Sequence, residues 1–151
     1  MSNNQPEKSC VVIYFPVQPH VYKYLQAKVG ESMTVSKKDF WGNLILDILS
    51  KRYTSPVTQN EELVYPVEIS MRYMTEYGVF IDSRTVKKFN TQIDNLFREE
   101  MRTHVFINYE KNSIPKDRAL KQFLDYFNIS EDDIKFETLK KDLVRSKKVT
   151  N

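Results

Sequence analysis

The chain has 151 residues, of which 40% are hydrophobic and 13% aromatic, enough to bury the core of one domain of ordinary size. This composition excludes a chain that is disordered throughout. The formal net charge of +3 is a mild positive excess that permits binding to nucleic acid without requiring it. Only three glycines occur, which argues against a glycine-rich phosphate loop and against an all-β chain with many tight turns.

The sequence also bears on where the protein works. Cys10 is the single cysteine, so an internal disulfide framework is excluded. No apolar run approaches the roughly 18 residues that a membrane-spanning helix needs, and the polar first residues lack the apolar core of an export signal. We therefore expect a cytoplasmic protein with no membrane contact. Residues 1–9 are predicted to be a flexible tail, residues 10–148 a single α+β domain and residues 149–151 a flexible end.

The first residues after the tail predict a strand followed by a helix. Residues 10–17 are rich in β-branched and aromatic side chains, which is typical of a buried strand. Pro19 suits the first turn of a helix, and Gly30 is expected to end that helix. Residues 32–38 predict a brief strand or an extended connection.

A second helix and a second strand are predicted next. Asp39 is a candidate N-cap for the helix, and Phe40 and Trp41 are expected to hold its start in the core. Residues 67–72 alternate between apolar and polar side chains, which predicts a half-buried strand. Pro66 cannot donate a ladder hydrogen bond, so it is expected to begin this strand or to place it at the edge of a sheet.

The remainder of the chain is predicted to be helical. Apolar residues recur at three- and four-residue steps from Ser83 to between His104 and Asn108, which predicts a long amphipathic helix. Residues 105–109 either extend this helix or form a strand. Pro115 is expected to open the first of two shorter helices. The predicted fold class is therefore α+β, a small N-terminal layer of strands and helices with a mostly helical C-terminal half.

Candidate catalytic residues are sparse. His20 and His104 lie in unrelated segments outside any metal-binding spacing, and His20 is expected to be an exposed first-turn residue. His104 is expected to lie on a helix face. Cys10 leads a predicted strand without a nearby base, so it is expected to be an inert side chain rather than a nucleophile. We therefore expect a protein that is not an enzyme and binds no metal and no cofactor.

The strongest functional pattern is the charge at the C-terminal end. Ser130 is the predicted N-cap of the last helix, with Asp133 completing a pattern like a capping box. Residues 135–151 contain six basic and two acidic residues, a local net charge of +4. Because the acids cluster at the predicted start of this helix, contact with DNA or RNA is expected through phosphates rather than bases. The candidate contact residues are Lys140, Lys141, Arg145, Lys147 and Lys148.

The order of helix, short turn and basic helix over this region also suggests a helix-turn-helix, with the turn at residues 128–130. Two alternatives remain open. One is a capped surface helix in a protein-interaction or assembly module that binds a partner or a second copy of itself. The other is stacking of single-stranded bases on tyrosines, although core packing explains these residues more simply. The tyrosines concerned are Tyr14, Tyr22, Tyr24, Tyr73 and Tyr77.

Three segments carry a resemblance to a known group of proteins. They are "VVIYFPVQPHVYKYLQAKVG", "KKFNTQIDNLF" and the closing "FNISEDDIKFETLKKDLVRSKK". In these segments the chain resembles small uncharacterised proteins encoded by phages and mobile elements, which end in a similar basic helix. The resemblance implies a role in DNA transactions or in regulation of the element, and it assigns no function to a particular residue.

Overall fold

A computed structural model describes residues 9–53, 57 and 61–149, with the last three of these described by their backbone alone. The described residues form three strands and six helices. In chain order they are β1 (Cys10–Val17), α1 (Pro19–Lys28), β2 (Met33–Thr34), α2 (Phe40–Ile48), β3 (Leu63–Ser70), α3 (Met71–Tyr77), α4 (Ser83–Asn112), α5 (Lys116–Tyr126) and α6 (Phe136–Val149). The predicted α+β class with a helical C-terminal half is confirmed.

The strands form one sheet in the order β1-β3-β2. β1 and β3 are antiparallel, from Cys10 opposite Ser70 to Val17 opposite Leu63, whereas β2 pairs with β3 in parallel. Alternate side chains of the two long strands face the core, as the period of two in their sequences requires. The inward side chains are Ile13, Phe15, Val17, Tyr65, Val67 and Ile69.

The prediction that Pro66 begins its strand or marks a sheet edge is wrong. β3 is the central strand, and Pro66 lies inside it opposite Tyr14 of β1. The proline is tolerated because β2 pairs only with Val67 and Glu68. Pro66 therefore lies outside the short parallel ladder in which a donor would be required.

Residues 71–77 leave the sheet instead of continuing the strand. The Ser70 hydroxyl accepts a hydrogen bond from the Tyr73 backbone N–H and so begins α3. Met71, which belonged to the predicted alternating strand, is therefore helical, and its side chain is exposed. Gly78 ends α3 with a φ of 91°, a conformation that favours glycine.

At the start of α2 one prediction is confirmed and another is wrong. Asp39 caps the helix, its carboxylate accepting a hydrogen bond from the Gly42 N–H at 2.7 Å. Phe40, however, is 57% exposed, while Trp41 is half-buried and contacts the Phe40 ring edge-on. The core-facing stripe of α2 begins only at Leu44 and Ile45, so Phe40 lies on the outer side of the helix.

The long helix α4 is the structural centre of the fold. It begins with a reciprocal capping box between Asp82 and Thr85, and it continues to Asn112, so residues 105–109 extend the helix. Phe89 of α4 packs against Phe15 of the sheet with ring centroids 4.7 Å apart. Further along the same helix, Phe97 packs against Phe123 of α5. The buried apolar side chains of the described chain form one cluster around this helix.

The connection between α5 and α6 differs from the prediction. α5 ends at Tyr126 and α6 begins at Phe136, so the connecting segment exceeds the three- or four-residue turn of a helix-turn-helix. Asn128 adopts the left-handed conformation with a φ of 56°, and the Ile129 N–H closes the helix end on the Leu124 carbonyl. The predicted N-cap at Ser130 is wrong because residues 130–134 form a separate turn.

None of the helices within the described chain is both long and apolar enough to cross a membrane. Residues 1–8 of the predicted N-terminal tail and residues 150–151 of the predicted C-terminal end lie outside the described residues.

Candidate nucleic-acid interface

Helix α6 has an inner side packed on the core and an outer side exposed to solvent. Leu139 and Leu143 are buried at 0% and 6% exposure. Six side chains of α6 are exposed within the described part of the helix, among them Glu137 in the first turn, which lies on the same side as Lys141 and Val144. We name the four exposed side chains that follow the first turn the α6 outer face. They are Lys140, Lys141, Val144 and Arg145.

Asp142 does not belong to the outer face, although it lies among these residues in the sequence. Its Oδ1 accepts a hydrogen bond from Nε of Arg102 at 2.7 Å, and its Oδ2 accepts one from Nη1 of Arg98 at 3.2 Å. Burial acts to raise the pKa of the Asp142 carboxyl, but the hydrogen bonds from Arg102 and Arg98 outweigh burial and hold that pKa below its ordinary value. The only acid between the basic residues of the outer face is therefore neutralised from the inside by α4.

The polar contacts continue from α6 across α4 to α1. Arg98 also donates from Nε to Oδ2 of Asp94 at 2.8 Å, and Oδ1 of Asp94 lies 2.7 Å from Nε2 of His20. Burial acts to raise the pKa of Asp94, but the hydrogen bond from His20 and the charge of Arg98 lower it on balance. This chain of contacts holds α1, α4 and α6 in one arrangement.

The expectation that His20 is an exposed first-turn residue is wrong. The side chain is buried, and its ring packs against Phe97 with centroids 5.4 Å apart. Pro19 places His20 in the first turn of α1 as expected, but that turn lies directly against α4. The burial of His20 follows from this packing rather than from its position in its own helix. His104 lies on a helix face, as expected, with its ring 5.7 Å from that of Phe123.

A second set of contacts fixes the segment that leads into α6. Lys23 of α1 donates to the Asn128 carbonyl at 2.8 Å and to Oδ2 of Asp133 at 2.6 Å. Burial acts to raise the pKa of Asp133, but the bonds from Lys23 and Ser130 lower it on balance. Glu131 accepts a hydrogen bond from the Phe136 N–H, the first backbone donor of α6. The acids predicted to lie in the first turn of the last helix therefore lie before that helix, because α6 begins only at Phe136.

The structure brings together the candidate contact residues whose side chains it describes. Lys141 and Arg145 are exposed, one helical turn apart, and neither makes an ion pair within the described chain. Lys140 lies 3.9 Å from Asp117, and both side chains are largely exposed, so this pair contributes little. Lys147 and Lys148 follow in α6, but their side chains lie outside those described. Glu137 is exposed in the first turn, which leaves the C-terminal part of α6 as the more positive end.

Beside the outer face, a cleft of about 540 Å³ opens between α4 and α6. Arg102 and Arg145 line it, together with the Phe106 ring and the Ser146 side chain. Ser146 donates to the backbone carbonyl of Asp142 at 2.9 Å. The cleft also contains Glu99 and Asp142, so the four charged side chains that line it carry no net charge. Arg145 belongs both to this cleft and to the outer face, whereas Lys140 and Lys141 do not line the cleft.

The pair His20 and Asp94 borders a different cleft of about 420 Å³, which Arg98 and Thr138 also line. A histidine oriented by a carboxylate can transfer protons when a substrate is held beside it. In this cleft, however, both Asp94 oxygens are already bonded, to His20 and to Arg98. Within the described chain, no group of three or more potential ligands could hold a metal ion. The geometry accounts for the pair as a structural contact.

The tyrosines considered for base stacking do not form a platform. Tyr24 is buried and donates to Glu100 at 2.8 Å, and burial together with this bond raises its pKa. Tyr14 is 58% exposed on β1, and the Tyr22 ring meets that of Tyr65 edge-on with centroids 6.2 Å apart. Tyr73 and Tyr77 of α3 flank the Lys37 ammonium group at 5.6 and 5.1 Å. These residues therefore serve separate local contacts.

Sequence reasoning missed most of the charged contacts that orient α6. The spacing of Asp94 and Arg98 is a four-residue step on one helix face, which indicates an ion pair. Arg102 continues the same row, which could have indicated a basic stripe on α4 awaiting an acidic partner. Nothing in the sequence identifies Asp142 or His20 as the partners. Asp142 is separated from α4 by α5, and His20 is separated from it by β2, α2, β3 and α3.

Comparisons of the chain with protein-family models, with curated proteins and with solved structures found no match.

Proposed function

We propose that this protein is a non-enzymatic nucleic-acid-binding or regulatory protein that contacts phosphates through the α6 outer face. The observation that carries the proposal is the inward orientation of Asp142, which pairs with Arg98 and Arg102. The outer face is consequently more positive than its sequence suggests. Lys141 and Arg145 extend from adjacent turns of one helix, which suits contacts with successive phosphates along a backbone.

The arrangement favours affinity over reading of sequence. Lysine contacts a phosphate as a point charge, and arginine can donate two hydrogen bonds to it. The basic residues lie along the middle and end of α6, whereas base contacts in helix-based DNA recognition are made near the start of the recognition helix. Here Glu137 stands at that start. The proposed binding is therefore driven by phosphates and depends only weakly on base sequence.

The biological setting is part of the same proposal. The resemblance of the basic C-terminal segment to phage- and mobile-element-encoded proteins supports a role on the DNA of such an element, in the cytoplasm. That role requires neither a cofactor nor a metal.

The direct test is binding of a labelled duplex and a labelled single strand across a series of salt concentrations, followed by fluorescence anisotropy. Phosphate contacts release counterions, so the logarithm of the binding constant should fall linearly with the logarithm of salt concentration. Replacement of both Lys141 and Arg145 by alanine should lower the magnitude of this slope by about 2 for duplex DNA, because two phosphate contacts are lost.

A matched control separates a local interface from net charge. Arg84 and Lys88 are exposed near the start of α4, remote from α6, and their double replacement by alanine removes the same charge. This control should leave the salt slope within experimental error. Absence of binding at low salt, or equal losses in the two double variants, would contradict the proposal.

A further inference from the structure

A shallow apolar groove lies between α2 and α4 on the surface of the protein. Its volume is about 380 Å³, and we name it the α2–α4 groove. Leu44 and Leu96 form its floor, and the exposed ring of Phe40 forms one wall. Phe40 exposes more than half of its surface to water, so a surface that covered it would remove apolar area from solvent.

The rim of this groove is acidic. Asp47 and Glu99 both line it, both are exposed, and neither forms an ion pair in the part of the chain that is described. Asn43 and Asn95 complete the polar rim with uncharged amides. Glu99 also lies close enough to Arg102 of its own chain for their charges to interact. An apolar floor between two exposed carboxylates fits a helix that presents an apolar side chain between two cations.

The α6 outer face has this complementary pattern. Val144 is 60% exposed at its centre, with Lys141 three residues before it and Arg145 directly after it. Lys141 and Arg145 are separated along the helix axis by about 6 Å, since the rise is about 1.5 Å per residue. The face as a whole does not cover the groove of its own chain, because Leu139, Leu143 and Asp142 hold the opposite side of α6 against α4. Only Arg145 shares a cleft with the rim residue Glu99.

We propose that the α2–α4 groove binds the α6 outer face of a second copy of this chain. Val144 of one copy packs against Phe40 and Leu44 of the other, and the two cations meet the rim carboxylates. Glu99 lines both this groove and the neighbouring cleft between α4 and α6. Groove and α6 are therefore neighbours on one side of the molecule, which suits a reciprocal contact in which each copy offers both surfaces.

If the proposed function holds, self-association should interfere with the binding of nucleic acid, and this expectation rests on that function. The face that contacts phosphates in one copy is covered when that copy docks on another. Duplex DNA and self-association therefore compete for the same cations, and DNA should dissociate the assembled form.

The test is sedimentation velocity of the full chain over a concentration series at low and high salt. Wild-type protein should associate, and more strongly at low salt. Asp47→Lys with Glu99→Lys should weaken association about tenfold or more by opposing the basic face, and Lys141→Glu with Arg145→Glu should do the same. The two double variants mixed together should associate again, since the charges are then exchanged between the partners.

Two controls keep this result interpretable. Asp125→Lys with Asp132→Lys gives the same change in net charge at exposed sites outside the groove and should leave association unchanged. Phe40→Ser removes the apolar wall without altering charge and should also weaken association, while circular dichroism and thermal unfolding confirm that each variant folds.

The outcomes distinguish the two proposals. A wild-type chain that remains monomeric at low salt and high concentration, or reversed variants that fail to associate when mixed, would overturn the docking proposal. If Asp47→Lys with Glu99→Lys abolishes association and leaves duplex binding intact, docking stands separately from nucleic-acid binding. If mixing restores association although the wild-type chain binds no DNA, docking stands and the proposed function fails.

Discussion

Nε of Arg102 on α4 donates a hydrogen bond to Oδ1 of Asp142 on α6 at 2.7 Å. The Asp142 side chain is 14% exposed, so the pair is shielded from most of the solvent that weakens surface ion pairs. Arg98 contacts the same carboxylate and also Asp94, which in turn contacts His20. This carboxylate and the two guanidinium groups therefore fix the position of the last helix together with the buried Leu139 and Leu143.

Replacement of Asp142 by asparagine should destabilise the fold by about 1–3 kcal/mol, because Arg98 and Arg102 lose the negative charge to which they donate. Urea unfolding followed by circular dichroism measures the change. Asp132→Asn is the matched control, since Asp132 is exposed in the segment before α6 and its replacement should change stability by less than about 0.5 kcal/mol. Equal effects at the two positions would show that the ion pairs do not hold α6.

The stability of the protein should fall in acid. The pKa values of Asp94, Asp133 and Asp142 are all lowered from 3.8 in the folded protein. A carboxyl whose folded-state pKa is lowered stabilises the fold above its unfolded-state pKa, and this contribution disappears as the pH falls through the lowered value. Urea midpoints measured from neutral pH downward should therefore begin to fall near the unfolded-state pKa and continue to fall below it.

A variant isolates the contribution of one of these groups. Asp94→Asn should be less stable than wild type at neutral pH, and its stability should depend less steeply on pH below 3.8, because one titrating carboxyl is absent. A curve parallel to that of the wild type would show that Asp94 does not contribute to the acid transition.

His20 should contribute more to stability than its first-turn position suggests. Replacement by alanine removes a buried ring that packs on Phe97 and leaves Asp94 without one of its partners. We expect a loss of about 2–3 kcal/mol in the free energy of unfolding. His104→Ala is the comparison: its ring is half-buried on a helix face, so the loss should stay below about 1 kcal/mol. Similar losses of stability at the two positions would show that the contact with Asp94 and the deeper burial of His20 add nothing to its contribution.

Gly42→Ala should destabilise the protein although Gly42 lies within α2. Alanine is the better helix former by about 1 kcal/mol, so helix propensity alone predicts a gain. A Cβ at this position, however, would lie 1.9 Å from the backbone oxygen of Ser36, and backbone cannot move aside as a flexible side chain can. We expect a net loss of about 1–3 kcal/mol in thermal or urea unfolding. Gln122→Ala on the exposed side of α5 is the control and should be neutral or slightly stabilising.

Much of the fold follows from local pattern in the sequence. The alternation in β3, the helical spacing of α4 and the cap at Asp39 are each decided by neighbours within a few residues, and the structure contains all three. The candidate contact residues are likewise visible in the sequence, because an excess of charge in one segment needs no knowledge of the fold. What the sequence determined is therefore the two long strands, the helices α1, α2, α4 and α5, and the basic end of the chain, whereas α3 and the start of α6 were not predicted.

The tertiary structure decided which face each charged or aromatic residue occupies. Pro66 is tolerated in a central strand because β2 is short, and Phe40 is exposed because the core meets α2 one turn later. Asp142 lies among basic residues in the sequence, and it faces inward because two arginines on α4 lie opposite it. These outcomes depend on partners that lie far away along the chain, and the energy of an ion pair or of a buried ring depends on how close the partners are in space. That proximity arises only when α1, α2 and α6 pack around α4.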